Sequence, residues 1–158
     1  MQDLDYAEYI KKKTGVELKP GDITDKDGNV LGRHKGIPFY TIGQRRGLGI
    51  AHSEPLYVVG IDAATNRVIV GTKKDVLKKC LIADGLNWIA VEDISKPIKC
   101  MARIRYNSKK ARATVTKAGN GSVKVEFDAP QEAPTPGQAV VFYDKDVVLG
   151  GGWIREVL

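Results

Sequence analysis

The chain has 158 residues, with 25 lysines and arginines against 19 aspartates and glutamates, for a formal net charge of +6. Its 42% hydrophobic and 28% charged residues suffice for a buried core without staples and exclude disordered and collagen-like chains. No apolar run approaches the roughly 18–20 residues of a spanning helix, and two cysteines, no CxxC pair and no signal-like start predict a reduced, cytoplasmic protein without membrane partners.

Leu4 to Lys13 reads as one short helix, with Asp5 as N-cap, Glu8 completing a capping box, Lys11, Lys12 and Lys13 in the last turn, and Gly15 as the stop. From Lys19 the pattern is β. Asp27-Gly28 marks a hairpin between Asp22–Thr24 and Asn29–Leu31, and Tyr57–Ile61 and Arg67–Val70 flank a longer loop. Between these hairpins lies a glycine-rich basic stretch, Gly32 to His52. Lys73 to Lys79 reads as a charged connector with a domain boundary in it.

Beyond Leu81 strands follow one another. In Ile98–Tyr106 the alternation puts Ile98, Cys100, Ala102, Ile104 and Tyr106 on one, inward face, with Lys99, Met101, Arg103 and Arg105 outward. Ala111–Lys117 and Ser122–Phe127 alternate around Gly119-Asn120-Gly121, and Gln138–Tyr143 with Val147–Ile154 forms a last hairpin. The 17 glycines, above the usual share of roughly 7%, supply the turns. The predicted fold class is mainly β: a small β-rich unit preceded by a short helix, then a six-stranded antiparallel β-barrel.

The chemistry-bearing motifs are sparse. Gly43 to Gly49 lacks the G-K-[ST] ending of a Walker A loop, and Gly47-Leu48-Gly49 lacks both the third glycine and the βαβ context of a dinucleotide fingerprint. Tight bends or close backbone approach are the expectation there and at Gly150-Gly151-Gly152. Asp25 to Asn29 fails as a calcium loop, because its first and twelfth positions would be Ile23 and His34. His34 and His52 have no partners at metal-ligand spacing and read as loop or surface histidines. Cys100, Trp88 and Trp153 fall in apolar strand contexts and read as core. Charge says more. No acid lies between Asp27 and Glu54, where Arg33, Lys35, Arg45 and Arg46 occur. None lies between Asp93 and Glu126, a stretch holding Lys96, Lys99, Arg103, Arg105, Lys109, Lys110, Arg112 and Lys117. With Tyr106 and Phe39-Tyr40 nearby, such stretches suit a nucleic-acid backbone, or simply a solvated basic face.

Phe39-Tyr40-Thr41-Ile42-Gly43-Gln44-Arg45-Arg46-Gly47-Leu48-Gly49-Ile50 resembles the YTIGQRKGLGI signature of the bacterial tRNA 2-thiouridylases, the tRNA-uridine 2-sulfurtransferases. Pro20-Gly21-Asp22-Ile23 with Gly28, Gly32, His34 and Gly36 resembles the family's PG-x-I…G…G-x-H-x-G run. Thr135-Pro136-Gly137-Gln138 through Tyr143, then Leu149 to Gly152, resembles its TPGQ…VFY…LGGG ending. The resemblance implies an enzyme that activates the wobble uridine of tRNA with ATP and delivers sulfur from a cysteine persulfide. It implies an N-terminal ATP-pyrophosphatase domain, a middle domain and a C-terminal barrel. The SGGxDS nucleotide loop has no counterpart here, and neither Cys80 nor Cys100 matches a catalytic position of the family.

The expectation is therefore a fragment: 1–18 a helical linker from the missing catalytic domain, 19–78 the middle domain and 79–158 the barrel. It should hold no catalytic residue, metal or cofactor of its own; ATP and the persulfide donor belong to the parent enzyme. The implied partners are tRNA, the parent's ATP-pyrophosphatase domain and, through the parent, sulfur-relay proteins. By resemblance Arg105, Tyr106 and Gln138 contact tRNA, with Arg103 on the same strand. Arg45 and Arg46 face either tRNA or the missing domain. The alternative is a basic protein-interaction module that docks a separate catalytic domain.

Overall fold

The computed structural model describes residues 18–92 and 94–158, and the helix expected over Leu4 to Lys13 lies outside them. The chain divides into two compact units, the first ending at Val76 and the second being Leu77–Leu158.

In the first unit β1 (Gly21–Thr24), β2 (Val30–His34), β3 (Tyr57–Asp62) and β4 (Arg67–Gly71) form a sheet in the order β2-β1-β4-β3. The β1–β2 turn is built by Asp25, whose carboxylate accepts from the backbone N–H groups of Asp27 and Asn29 at 2.9 and 2.8 Å. Ile23, Val58, Val68 and Val70 form the core, with Leu48 and Leu56. The signature loop between β2 and β3 is part of that core: Tyr40, Ile42 and Ile50 pack on it. Its backbone is stitched to β3 by Gly43 N–H donating to the Val58 carbonyl at 2.8 Å and Val58 N–H to the Gln44 carbonyl at 2.9 Å. Gly43, Gly47 and Gly49 all sit at positive φ, so these glycines serve bends, as expected.

His34 departs from the expected loop position. It is 2% exposed on β2, its Nε2 lies 3.0 Å from the Asn66 carbonyl, and its Nδ1 accepts from Gly36 N–H at 3.0 Å. Those two partners call for a donor at Nε2 and an acceptor at Nδ1, so the ring brackets β2 against the β3–β4 turn.

The expected connector at Lys73 to Lys79 is also corrected. Lys73–Val76 makes one helical turn, and β5 starts at Leu77. Asp75 fixes that turn, accepting from Thr72 N–H at 2.8 Å and the Thr72 hydroxyl at 3.0 Å, and pairing with the Lys26 ammonium. The Lys26 hydrogen bond, with those from Thr72, holds the Asp75 carboxyl below its ordinary range. Because the folded value is depressed, this stabilisation is complete above the unfolded aspartate pKa of roughly 3.9 and is lost as pH falls through the lower folded value. An Asp75→Asn chain should be less stable near neutrality and have a shallower acid limb. Urea melts of both chains between about pH 6 and about pH 2 measure this, and parallel stability curves would refute it.

The second unit is a closed barrel of β5 (Leu77–Trp88), β6 (Ile98–Arg103), β7 (Ala111–Gly119), β8 (Ser122–Glu132), β9 (Ala139–Asp144) and β10 (Val147–Val157). Its order is β10-β5-β8-β7-β6-β9, and every neighbouring pair is antiparallel. The predicted alternation fills the interior with Leu81, Ala83, Ala102, Val115, Val125, Phe127, Phe142 and Ile154. Closure happens at β10. There Gly150 stands in register with both Trp88 and Phe142, whose rings stack at 5.7 Å.

Trp153, expected in the core, is instead 57% exposed. Ile154 takes the inward position, and the register shift between Gly151 and Trp153 leaves the indole on the outer wall, beside Gly85. Cys100 packs against the core as expected, and burial pushes its thiol up to about 11. It therefore stays protonated at neutral pH and is a poor nucleophile.

Candidate functional site

Strand β6 ends at Arg103, three residues short of the predicted end. Ser108 closes the chain on itself there: its hydroxyl accepts from Arg105 N–H at 3.2 Å and donates to the Arg105 carbonyl at 2.8 Å. This turn interrupts the period of two, so Tyr106 does not point inward; it stands 91% exposed at the tip.

The Thr135–Gln138 turn approaches from the other side. Gly137, at φ 84°, donates to the Ile154 carbonyl at 2.8 Å, and Ile154 N–H donates to the Gln138 carbonyl at 2.7 Å. The turn is thus hydrogen-bonded onto β10, and Gln138 lands beside Arg105. Together Arg103, Arg105, Tyr106 and Gln138 line one cleft of about 480 Å³, floored by Val141 and Tyr143. Residues spread over more than thirty positions converge because β6 and β9 are ladder neighbours, with Arg103 in register with Val141. Among the described residues no carboxylate lines this cleft.

The two arginines differ in their surroundings. Arg105 is half-buried rather than fully outward: its Nε–H donates to Gln138 Oε1 at 3.3 Å and its Nη2–H to the Ala133 carbonyl. Ala133 is buried and held at φ 46°, a conformation that non-glycine residues adopt at a cost, so the guanidinium braces a strained turn. Arg103 has no hydrogen-bond or acidic partner among the described residues; its Nε is buried without an acceptor, and its guanidinium lies 5.9 Å from the Tyr143 ring centre. Lys110 covers the same ring at 4.2 Å.

Tyr143 also borders a second cleft, of about 490 Å³, that includes Lys99, Met101, Arg112 and Lys145 together with Asp128. Sequence reasoning missed Tyr143, Lys110, Ser108 and Ala133 as site residues. The VFY run and the acid-free stretch carried a faint signal for the first two, and nothing local marks the others. Arg45 and Arg46 belong to the first unit. Both are exposed on the signature loop of the first unit, where Arg45 borders a separate concavity with Leu48 and His52. Among the described residues no group of three or more His, Cys, Asp or Glu could hold a metal ion. No described helix is long and apolar enough to cross a membrane. Cationic donors, an amide and an exposed phenol ring together suit an anionic chain carrying flat rings.

Comparison with known proteins agrees with a two-module β architecture. Residues 7–72 match the tRNA methyl transferase PRC-barrel domain, and residues 78–154 match the aminomethyltransferase β-barrel domain. The chain is 48% identical over 155 residues to the tRNA-specific 2-thiouridylase of Acetivibrio thermocellus, covering 98% of this chain and 43% of that protein. It is 49% identical over 154 residues to the tRNA-specific 2-thiouridylase of Halothermothrix orenii, covering 98% and 43%. Against that of Clostridioides difficile it is 43% identical over 158 residues, covering 100% and 44%. The chain belongs to the tRNA-specific 2-thiouridylase family, and spans less than half the length of these relatives.

Proposed function

We infer that this chain is the tRNA-holding part of a tRNA 2-thiouridylase, with 19–78 as the middle domain and 79–158 as the barrel. The whole protein would thiolate the wobble uridine, using ATP and a persulfide sulfur donor bound by an N-terminal ATP-pyrophosphatase domain and supplied by sulfur-relay proteins. This chain alone would be inactive. The observation that carries the reading is the acid-free cleft in which Arg103, Arg105 and Gln138 meet beneath an exposed Tyr106. A phosphate chain needs the cations and is repelled by carboxylates, and an unpaired base needs the ring.

The test is binding of unmodified tRNA, followed by filter retention as salt is raised. Displacing counterions from two or more phosphates should lower affinity at least about tenfold between roughly 50 and 200 mM salt. Binding that ignores salt would overturn the reading. So would co-elution with the separately produced catalytic domain, combined with no tRNA binding, which is the outcome for a protein-docking module.

A further inference from the structure

The hydrogen bonds inside the cleft assign different tasks to residues that the sequence presents alike. A guanidinium only donates, so the Gln138 atom facing Arg105 Nε at 3.3 Å is the amide oxygen. That contact fixes which way the amide is turned. Its NH2 group makes no hydrogen bond among the described residues and is not one of the buried unsatisfied atoms, so its donors are open to a ligand in the cleft. Arg105 is held in place through two of its N–H donors, to Gln138 and to the Ala133 carbonyl. Arg103 lines the same cleft with no hydrogen-bond partner among the described residues and no acceptor for its Nε. A buried N–H left in that state favours a rotamer or a ligand that completes it.

We propose that the cleft holds one unpaired nucleotide, with Tyr106 stacked on the base, Gln138 donating to a base carbonyl, and Arg103 paired with a phosphate. Arg105 is a positioning residue that orients Gln138 and touches no phosphate. This rests on the RNA-binding reading above and adds a polarity to it. With its oxygen engaged by Arg105, Gln138 favours carbonyl-bearing edges such as that of uracil. The paired donor-and-acceptor contact by which a glutamine grips adenine needs the oxygen as well.

The experiment compares short single-stranded oligo(U) and oligo(A) on the 158-residue chain and its variants, each checked for an unchanged melting temperature. The wild type should prefer oligo(U) roughly tenfold, the worth of one good hydrogen bond. Gln138→Ala should erase the preference. Arg105→Lys, which keeps the charge but loses the planar fork, should erase it too while leaving the salt dependence intact. Arg103→Ala should keep the preference and reduce the salt slope by about one. Two results overturn the assignment: an Arg105→Lys chain that retains the preference, or an Arg105→Ala chain whose salt slope falls by about one while that of Arg103→Ala does not. If the wild type binds neither oligonucleotide nor tRNA in a salt-dependent way, the RNA-binding reading fails instead. If it binds both oligonucleotides equally, only the polarity of Gln138 fails.

Discussion

Replacing Gly150 by alanine is expected to destabilise the barrel by about 3 kcal/mol, the upper end of the usual cost of overpacking a core. A Cβ built there lies 2.5 Å from the Asn87 carbonyl oxygen and 2.7 Å from Cε3 of Trp88. The first of these is backbone and cannot swing aside. The second belongs to a ring stacked 5.7 Å from that of Phe142, so moving it opens the closure between β5, β10 and β9. At this domain size the melting temperature should drop by at least about 10 °C. Gly60→Ala is the control, because its Cβ would meet only the Ile69 side chain, at 3.5 Å, and should change stability by no more than about 0.5 kcal/mol. Thermal melts followed by tryptophan fluorescence and circular dichroism decide the matter. A Gly150→Ala chain melting within about 2 °C of wild type would mean that β10 can shift outward at little cost.

The largest functional effect is expected at Tyr106. Removing its ring in Tyr106→Ala should weaken tRNA binding by about 1–3 kcal/mol, the worth of one base stacked on an aromatic side chain. Stability should not change, since the side chain is 91% exposed and the adjoining turn is held by Ser108 instead. The ring supplies no cation to a phosphate, so the salt dependence of binding should also be unaltered. Tyr106→Phe should bind nearly as wild type, separating stacking from any hydroxyl contact. Equal affinity of wild type and Tyr106→Ala across salt concentrations would remove the stacking role.

Much of the fold was legible because it rests on short-range rules. Asp27-Gly28 marked its hairpin, and Gly119-Asn120-Gly121 marked the β7–β8 turn, where Gly119, Asn120 and Gly121 all take positive φ. The alternation through Val123, Val125 and Phe127 named inward residues correctly, because a strand's side chains change face at every step. The same rule failed where that regularity stops. It carried Tyr106 inward past a strand that ends at Arg103, and the apolar strand context put Trp153 in the core although a register shift precedes it. His34 read as a loop or surface residue because Asn66, 32 positions away, meets it only in the folded unit.

The sequence by itself determined that this is a β protein with a small sheet and a six-stranded barrel, and its motifs pointed to the family. Turn chemistry and period-two burial are properties of neighbouring residues, and a single chain displays them. Only the tertiary structure decided that Arg105 braces Ala133 and Gln138 while the Arg103 Nε has no acceptor among the described residues. These distinctions depend on which strands lie side by side when the barrel closes, and closure joins residues that no local pattern connects.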